Sequence, residues 1–586
     1  MKKYYLKYAP LMLIGILADI VVDYAQLFVP EYLGDVVTIV SGSETPTVAM
    51  IIPIVKSLFV VSIVLLAGRM LMRYGILRAS AKMEADLRHD MFRKAERLSQ
   101  RYYHENKVGT IISWFSSDIE AVEEFTGWGT IMIIDAIFLS ILSIVKMVKL
   151  DLVLSLVAII PMLSLIVWGN QAEKHMSDKW LERQESFDKL YDFATETFTG
   201  IRVIKSFVKE KQEFKAFQKI AKDNSNKNLQ VAKTHIGFDV LIELIIGAAM
   251  ALLMGLGGYF VYRYAINDPV SLFGYSIEMT AGKLTTFVGY VDVLIWPMIA
   301  MGQILQMYSR YRTSLARIRK FLDEDEEIHN CENAIVLPDV KGKITFRDFD
   351  FQYPDGNENS LNDITFEIMP GEMVGIVGKI GSGKTTLVNS LLRLYNIKKG
   401  QIFIDDVDIM DLDIRNLRDN IAYVPQDNFL FSDNIRNNIA FSNRKMRIEE
   451  IKEAARFADV HENIIGFDKG YDTVTGERGV TLSGGQKQRI SIARAYVKDA
   501  PIMILDDSVS AVDIKTEETI LHNIEEKRKG KTTIIIASRI STVAKADKIL
   551  VLNDGRVEAF ASPQELLTIS PTYQKMAYLQ KLESEL

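Results

Sequence analysis

Six apolar runs, each long enough to cross a bilayer, fill the first half of this sequence, and no such run occurs in the second. They lie near residues 9–40, 50–78, 128–148, 151–170, 236–263 and 284–308; a membrane-crossing helix needs about 20 residues. The chain therefore reads as a helical membrane part followed by a part that resembles an ordinary soluble α/β protein. Lys2-Lys3, with apolar residues from Ala9 on, looks at first like a secretion signal. The apolar stretch continues to Val40, too long for a signal core, and no small-residue cleavage site follows. It reads as an uncleaved first membrane helix.

The third and fourth runs are joined by the tight connection Lys146-Met147-Val148-Lys149-Leu150-Asp151. Long charged stretches of helical pattern separate the second run from the third and the fourth from the fifth. One passes through Lys82-Met83-Glu84-Ala85-Asp86, the other through Glu185-Ser186-Phe187-Asp188-Lys189. They hold most of the basic residues of this part, so the positive-inside rule places them in the cytoplasm. The loop at 41–47 has no Lys or Arg and belongs outside. Lys146, Lys149 and Arg263 then fall on the outer side against the rule, while both termini and both long loops agree with it. Each long stretch reads as a helical pair with a turn at its tip, near Ser117-Asp118 and near Gly200-Ile201-Arg202. Such tips are placed to reach a cytoplasmic motor domain and transmit its movement.

The acidic run Asp323-Glu324-Asp325-Glu326-Glu327 closes the last helix and reads as a solvated linker. Beyond it, short β runs such as Ile344-Thr345-Phe346 and Val374-Gly375-Ile376-Val377 alternate with helices, as in a nucleotide-binding α/β domain. The expected division is a membrane domain over 1–322, a linker over 323–340 and a nucleotide-binding domain over 341–586. A length of 586 residues agrees with more than one core. The net charge of -6 argues against a nucleic-acid partner. Cys331 is the only cysteine and the 7 histidines lack ligand spacing, so neither a disulfide framework nor a cysteine–histidine metal site is expected.

Gly378-Lys379-Ile380-Gly381-Ser382-Gly383-Lys384-Thr385 is a complete phosphate-binding loop, after a buried strand and before a helix. Its glycines let backbone N–H groups curl round phosphates, and the helix N-terminus adds partial positive charge. Lys384 supplies a point charge and the Thr385 hydroxyl can ligate Mg²⁺, with Thr386 beside it. The apolar run Pro501-Ile502-Met503-Ile504-Leu505 ends in Asp506, placed to orient Mg²⁺ through its water shell.

Leu482-Ser483-Gly484-Gly485-Gln486 stands just upstream of that strand and resembles the signature of the ABC ATPases. Other motifs of that family fall in order. Tyr353 resembles the aromatic residue that stacks on adenine. Gln426, in Val424-Pro425-Gln426, resembles the glutamine that senses Mg²⁺ and contacts the membrane domain. Gly476-Glu477-Arg478-Gly479 resembles a short exporter motif, and Ser510-Ala511-Val512-Asp513 the D-loop. The six-run membrane part, with its last span through Leu294-Ile295-Trp296-Pro297-Met298, is similar to that of ABC exporters. The resemblance implies a multi-pass protein of a bacterial cell membrane with its ATP-binding domain in the cytoplasm. It also implies head-to-tail dimers in which Ser483, Gly484, Gly485 and Gln486 act on the partner subunit's ATP.

Two positions depart from the family. Asp507 stands where the family usually has the glutamate that polarises the attacking water. Ser538, in Ile536-Ala537-Ser538-Arg539, stands where a switch histidine is expected. Aspartate is one methylene shorter, withdrawing its carboxylate by about 1 Å, a misplacement that can cost on the order of 10²-fold in rate. The sequence thus resembles the degenerate-site subunit of heterodimeric bacterial multidrug exporters, with a second half-transporter as partner.

Asp19 and Asp23, Asp135, Asp239 and Glu243, and Asp292 lie within apolar spans. Intramembrane carboxylates face cavities or other helices because lipid exposure is costly. With Tyr24, Phe28, Tyr290 and Trp296 they suit a pathway for amphipathic cationic compounds; polar contacts between helices explain each of them as well. A lipid or peptide exporter would use the same architecture, and a regulatory ATP-sensing subunit would tolerate the loss of hydrolytic residues.

Overall fold

The computed structural model describes residues 1–586 except 43–46, 273–274, 355, 477–478, 480, 511 and 586; for 162–175, 177, 272, 275 and 583–585 it describes the backbone alone. Part of the outer loop at 41–47, Glu477-Arg478 of the exporter motif and Ala511 of the D-loop thus lie outside the described residues. The chain forms two compact units. One comprises Met1–Ala95 and Val108–Glu324, the other Glu96–Lys107 and Asp325–Leu586.

The first unit is helical apart from a small hairpin, Ser271–Leu272 against Tyr275–Ser276. Its long helices are Lys2–Gln26, continued after Leu27 as Phe28–Ser41; Val48–Arg97; a composite run from Val108 to Leu150; Leu152–Thr199; Glu210–Ala265; and Ala281–Leu322. Helices satisfy their own backbone groups in lipid, where nothing else would. Five of the six are long and apolar enough to cross a membrane, and the fourth is apolar over Leu152–Pro161. None of the most apolar window of the second helix is buried. Phe59 is 68% and Leu66 62% exposed, a surface that suits lipid and not water.

Glycines set the helix crossings. A Cβ on Gly75 would come within 2.6 Å of Gly15 Cα, and one on Gly282 would run into the Gly34 carbonyl. The first helix is thereby clamped to the second at one level and to the sixth at another, the close approach that small residues permit in lipid.

The third helix is interrupted by three π-turns, Trp114–Asp118, Phe125–Gly129 and Asp135–Leu139. Each wide turn re-aims the side chains around it. The expected tip at Ser117-Asp118 is corrected here, because these residues lie inside the helix. Asp118 is buried and accepts two bonds from Arg317, at 2.7 and 2.5 Å, and one from the Ser314 hydroxyl at 2.9 Å. The turn lies upstream, where Ser99 and Asn106 flank the short helix Gln100–Glu105. The second turn, with the helix Ile201–Ser206, follows Gly200.

Two of the three outer-side cations that offend the positive-inside rule are paired. Lys146 Nζ donates to Glu31 at 2.5 Å, beside a bond from Tyr290 at 2.6 Å, and Arg263 pairs with Asp268.

In the second unit, strands of a six-stranded sheet read as unbroken apolar runs. Met373–Gly378, Ile502–Asp506 and Thr532–Ile536 are buried almost throughout, as parallel strands covered on both faces must be. The antiparallel sheet of Leu361–Ile368, Ile344–Phe351, Ile402–Ile404 and Val407–Asp408 is half-covered, so Ile344–Phe351 alternates buried and exposed positions. A second finding corrects the sequence reading of the acidic run as a plain solvated linker. Glu327 accepts a bond from the Ser99 hydroxyl at 2.9 Å, and Glu326 lies 3.8 Å from Arg97.

Candidate nucleotide site

Five parallel strands lie side by side in the order Lys548–Asn553, Met373–Gly378, Thr532–Ile536, Ile502–Asp506 and Ile421–Val424. Ligands of open α/β sheets bind outside the carboxyl ends of such strands. The chain leaves those ends into the phosphate loop, into Ser538, into Asp506-Asp507 and into Gln426, respectively for the last four strands. Residues spread over more than 150 positions of sequence are thus brought to one edge by strand register alone; Ile536, for example, lies opposite both Asp506 and Ile376.

Gly381 and Gly383 adopt φ of +82° and +95°. A Cβ on Gly383 would meet Leu361 Cδ2 at 2.5 Å, so both space and conformation require glycine. Lys384 opens the helix Lys384–Leu391 and donates to the carbonyls of Gly378 and Lys379, both at 2.9 Å. Burial pulls its ammonium below the usual lysine range, opposed by Asp507 and Asp506. Ser382 is 3% exposed and its Oγ has no hydrogen-bond partner among the described residues. An orphaned hydroxyl in a glycine-rich loop at a helix start fits a phosphate oxygen as its missing partner.

Burial pushes the Asp506 carboxyl above the usual carboxylate range, and hydroxyl bonds from Thr385 and Tyr423 hold it down. The Tyr423 bond measures 3.3 Å. Thr385 and Asp506 form an all-oxygen donor pair beside the loop, the set that a hard cation such as Mg²⁺ accepts. Tyr423 was not singled out by the sequence, since a tyrosine in an apolar strand carries no motif. Gln426 is exposed beyond its strand.

Asp507 has φ of +45°, and Gln488 and the Ser510 hydroxyl donate to its carbonyl at 3.2 and 2.9 Å. The Ser538 hydroxyl donates to Asp507 Oδ1 at 3.3 Å. Gln580, in the C-terminal helix, donates to the Ser538 carbonyl at 3.2 Å. Gln488 stands just past the signature run, whereas Gln580 is a further residue that no sequence motif marked.

The Tyr353 hydroxyl and the Thr386 hydroxyl are 3.0 Å apart, and the Tyr353 ring stands edge-on to Tyr395. A cavity of about 520 Å³ opens beside Tyr353, bounded also by Asn389, Tyr395 and His104. Ser483 caps the helix Gly484–Tyr496 in a reciprocal box. Its Oγ accepts from Gln486 N at 3.3 Å, while its own N–H donates to Gln486 Oε1 at 3.0 Å. Ser483 and Gly484 are exposed, so this helix start faces outward. Asp513 caps Ile514–Lys527 by accepting from Thr516 N at 3.0 Å, and that bond holds its carboxyl below the usual range.

The family model described as the ABC transporter transmembrane region matches residues 12–298, and that described as ABC transporter matches 361–510. The chain is 32% identical to the multidrug resistance-like ATP-binding protein MdlA of Escherichia coli (strain K12), covering 97% of this chain and 94% of that protein. It is 32% identical to the probable multidrug resistance ABC transporter ATP-binding/permease protein YheI of Bacillus subtilis (strain 168), covering 99% and 96%. Among solved structures, a bacterial Atm1-family ABC exporter with ATP bound has a similar fold, with a TM-score of 0.77 at 24% identity over 99% of both chains.

Proposed function

The chain belongs to the ABC transporter family, as an exporter with fused transmembrane and nucleotide-binding parts, and from that premise we propose that it is the hydrolysis-impaired half of a heterodimer. As a family member it is an ATP-driven multi-pass membrane transporter whose nucleotide-binding part is cytoplasmic. The finer reading rests on one observation. Asp507 and Ser538, which replace the expected glutamate and histidine, are hydrogen-bonded to each other at 3.3 Å. Serine brings no imidazolium charge, and the shorter carboxylate, engaged at one of its two oxygens, polarises a water less effectively than the longer pair would.

In this reading Lys384, Ser382 and the backbone N–H groups from Gly381 to Thr386 hold the phosphates of ATP, and Tyr353 supports the base. Thr385, Gln426 and Asp506 hold Mg²⁺, which when bound supplies positive charge to the phosphates. Ser483, Gly484, Gly485 and Gln486 present a capped, outward-facing helix start to the partner subunit's ATP, where aligned N–H groups favour an anion. Asp513 keeps the D-loop in register by capping the next helix. The cargo is an amphipathic, drug-like compound, a reading supported by the multidrug names of the relatives.

The test is ATP hydrolysis by this chain alone in lipid nanodiscs, with ATP binding as the control for folding. Negligible turnover with intact binding supports an obligate partner. Brisk, cooperative turnover overturns it and leaves a homodimer. Dye movement into vesicles, dependent on hydrolysis by the assembled pair, separates a pump from a regulatory subunit.

A further inference from the structure

We propose that Asp19, Asp23 and Asp135 form a binding site for one divalent cation among the membrane helices. Asp19 and Asp23 stand one turn apart on Lys2–Gln26 and so share a face. Asp135 opens the π-turn Asp135–Leu139 of the third helix, a distortion common at functional sites. One carboxylate oxygen from each lies within 4.8 Å of the other two.

A second observation separates this group from an ordinary acidic cluster. Asp19 is 1% and Asp23 2% exposed, yet Asp19 Oδ2 and Asp23 Oδ2 have no hydrogen-bond partner among the described residues. Buried charges are normally paired or coordinate metals, because desolvation is otherwise too costly. Trp296, on the sixth helix, donates from Nε1 to Asp135 Oδ2 at 3.2 Å and fixes that carboxylate from the third side. Asp135 is half-buried and leaves a side open to water and to an entering ion.

The chemistry of the ligands narrows the occupant. Arg69 donates to Gln26, three residues past Asp23, at 3.3 Å. Carboxylates crowded so closely repel one another when ionised, and a bound cation relieves that repulsion. An organic ammonium is too large for oxygens so occluded. Carboxylate oxygens are ligands for hard cations such as Ca²⁺ and Mg²⁺.

The experiment uses the full chain in nanodiscs without nucleotide, with Tb³⁺ as a luminescent probe for the cation site and Ca²⁺ as competitor. Emission excited through tryptophan is expected, displaced by Ca²⁺. It should fall roughly tenfold or more in Asp23→Asn, in line with the sensitivity of metal sites to loss of a single supporting group. Trp296→Phe should remove the sensitised signal, because its indole is the donor beside the site. ATP binding by both variants reports that they are folded. Emission that is absent, or unchanged in Asp23→Asn or in Trp296→Phe, overturns the proposal. So does an infrared band of protonated carboxyl at neutral pH that is lost in Asp23→Asn and unmoved by Ca²⁺, since protons would then hold the cluster.

Discussion

Ser538 Oγ donates to Asp507 Oδ1 at 3.3 Å, so the two positions where this site departs from its family touch each other. The contact is held from both ends, with Gln488 and Ser510 on the Asp507 carbonyl and Gln580 on that of Ser538. A serine–aspartate pair is short and neutralises part of its own hydrogen-bonding capacity. A histidine–glutamate pair would extend further from the same two strand ends.

In the proposed reading, installing both family residues should raise hydrolysis. Asp507→Glu with Ser538→His is expected to raise phosphate release by this chain alone by on the order of 10²-fold, the scale of a 1 Å displacement. Each single change should yield less than its share, because residues in contact are coupled. Steady-state phosphate release from the three variants checks both statements.

Removal of the phosphate-loop charge should act on binding. Lys384→Ala is expected to weaken ATP binding at least about tenfold, or 1.4 kcal/mol, since no second cation is hydrogen-bonded to the loop among the described residues. Fluorescent-nucleotide titration measures it, and unchanged circular dichroism shows that the strands remain.

Asp118 is the place where a single polar substitution should loosen the membrane unit. Asp118→Asn keeps the shape but removes the charge facing Arg317, and is expected to cost about 1.5–3 kcal/mol, the worth of hydrogen bonds to charged groups. Arg317→Lys should lose much of the same amount, because an ammonium cannot reproduce the two-pronged contact at 2.7 and 2.5 Å. Thermal unfolding in nanodiscs reads both.

The second helix turn offers the opposite case. Phe207 is 69% and Val208 80% exposed, and no residue of Ile201–Ser206 is buried. Phe207→Ser should leave stability within about 0.5 kcal/mol, as surface changes do. If this tip transmits movement, dye transport per ATP hydrolysed falls in the assembled transporter. Paired measurements of efflux and phosphate release test it.

Much of this was legible in the chain itself. The spans declare themselves through length and hydropathy, and the phosphate loop through glycines that nothing else could replace. The position of the first turn was not legible, because helical periodicity runs on through Ser117-Asp118 and a π-turn alters neither composition nor charge. Its true place carried weak signals, Ser99 before a helical stretch and Asn106 after it. Of the intramembrane carboxylates, Asp239, Glu243 and Asp292 are exposed while Asp19 and Asp23 are buried. That difference depends on which helices meet, and spacing along one helix does not encode it. Tyr423 and Gln580 escaped for the same reason.

The compact unit that contains Asp325–Leu586 also contains Glu96–Lys107, and this has a consequence for the order of synthesis. The segment emerges from the ribosome early, with its contact residue Ser99, while Glu327 is still to be translated. At about 5–20 residues per second it waits tens of seconds, held at the end of a membrane helix, before the rest of its unit exists. The second unit therefore cannot be completed from a translation product that starts at the linker. Recombination between relatives at the linker would pair a new motor with an old docking segment, so the two stretches are expected to be inherited together.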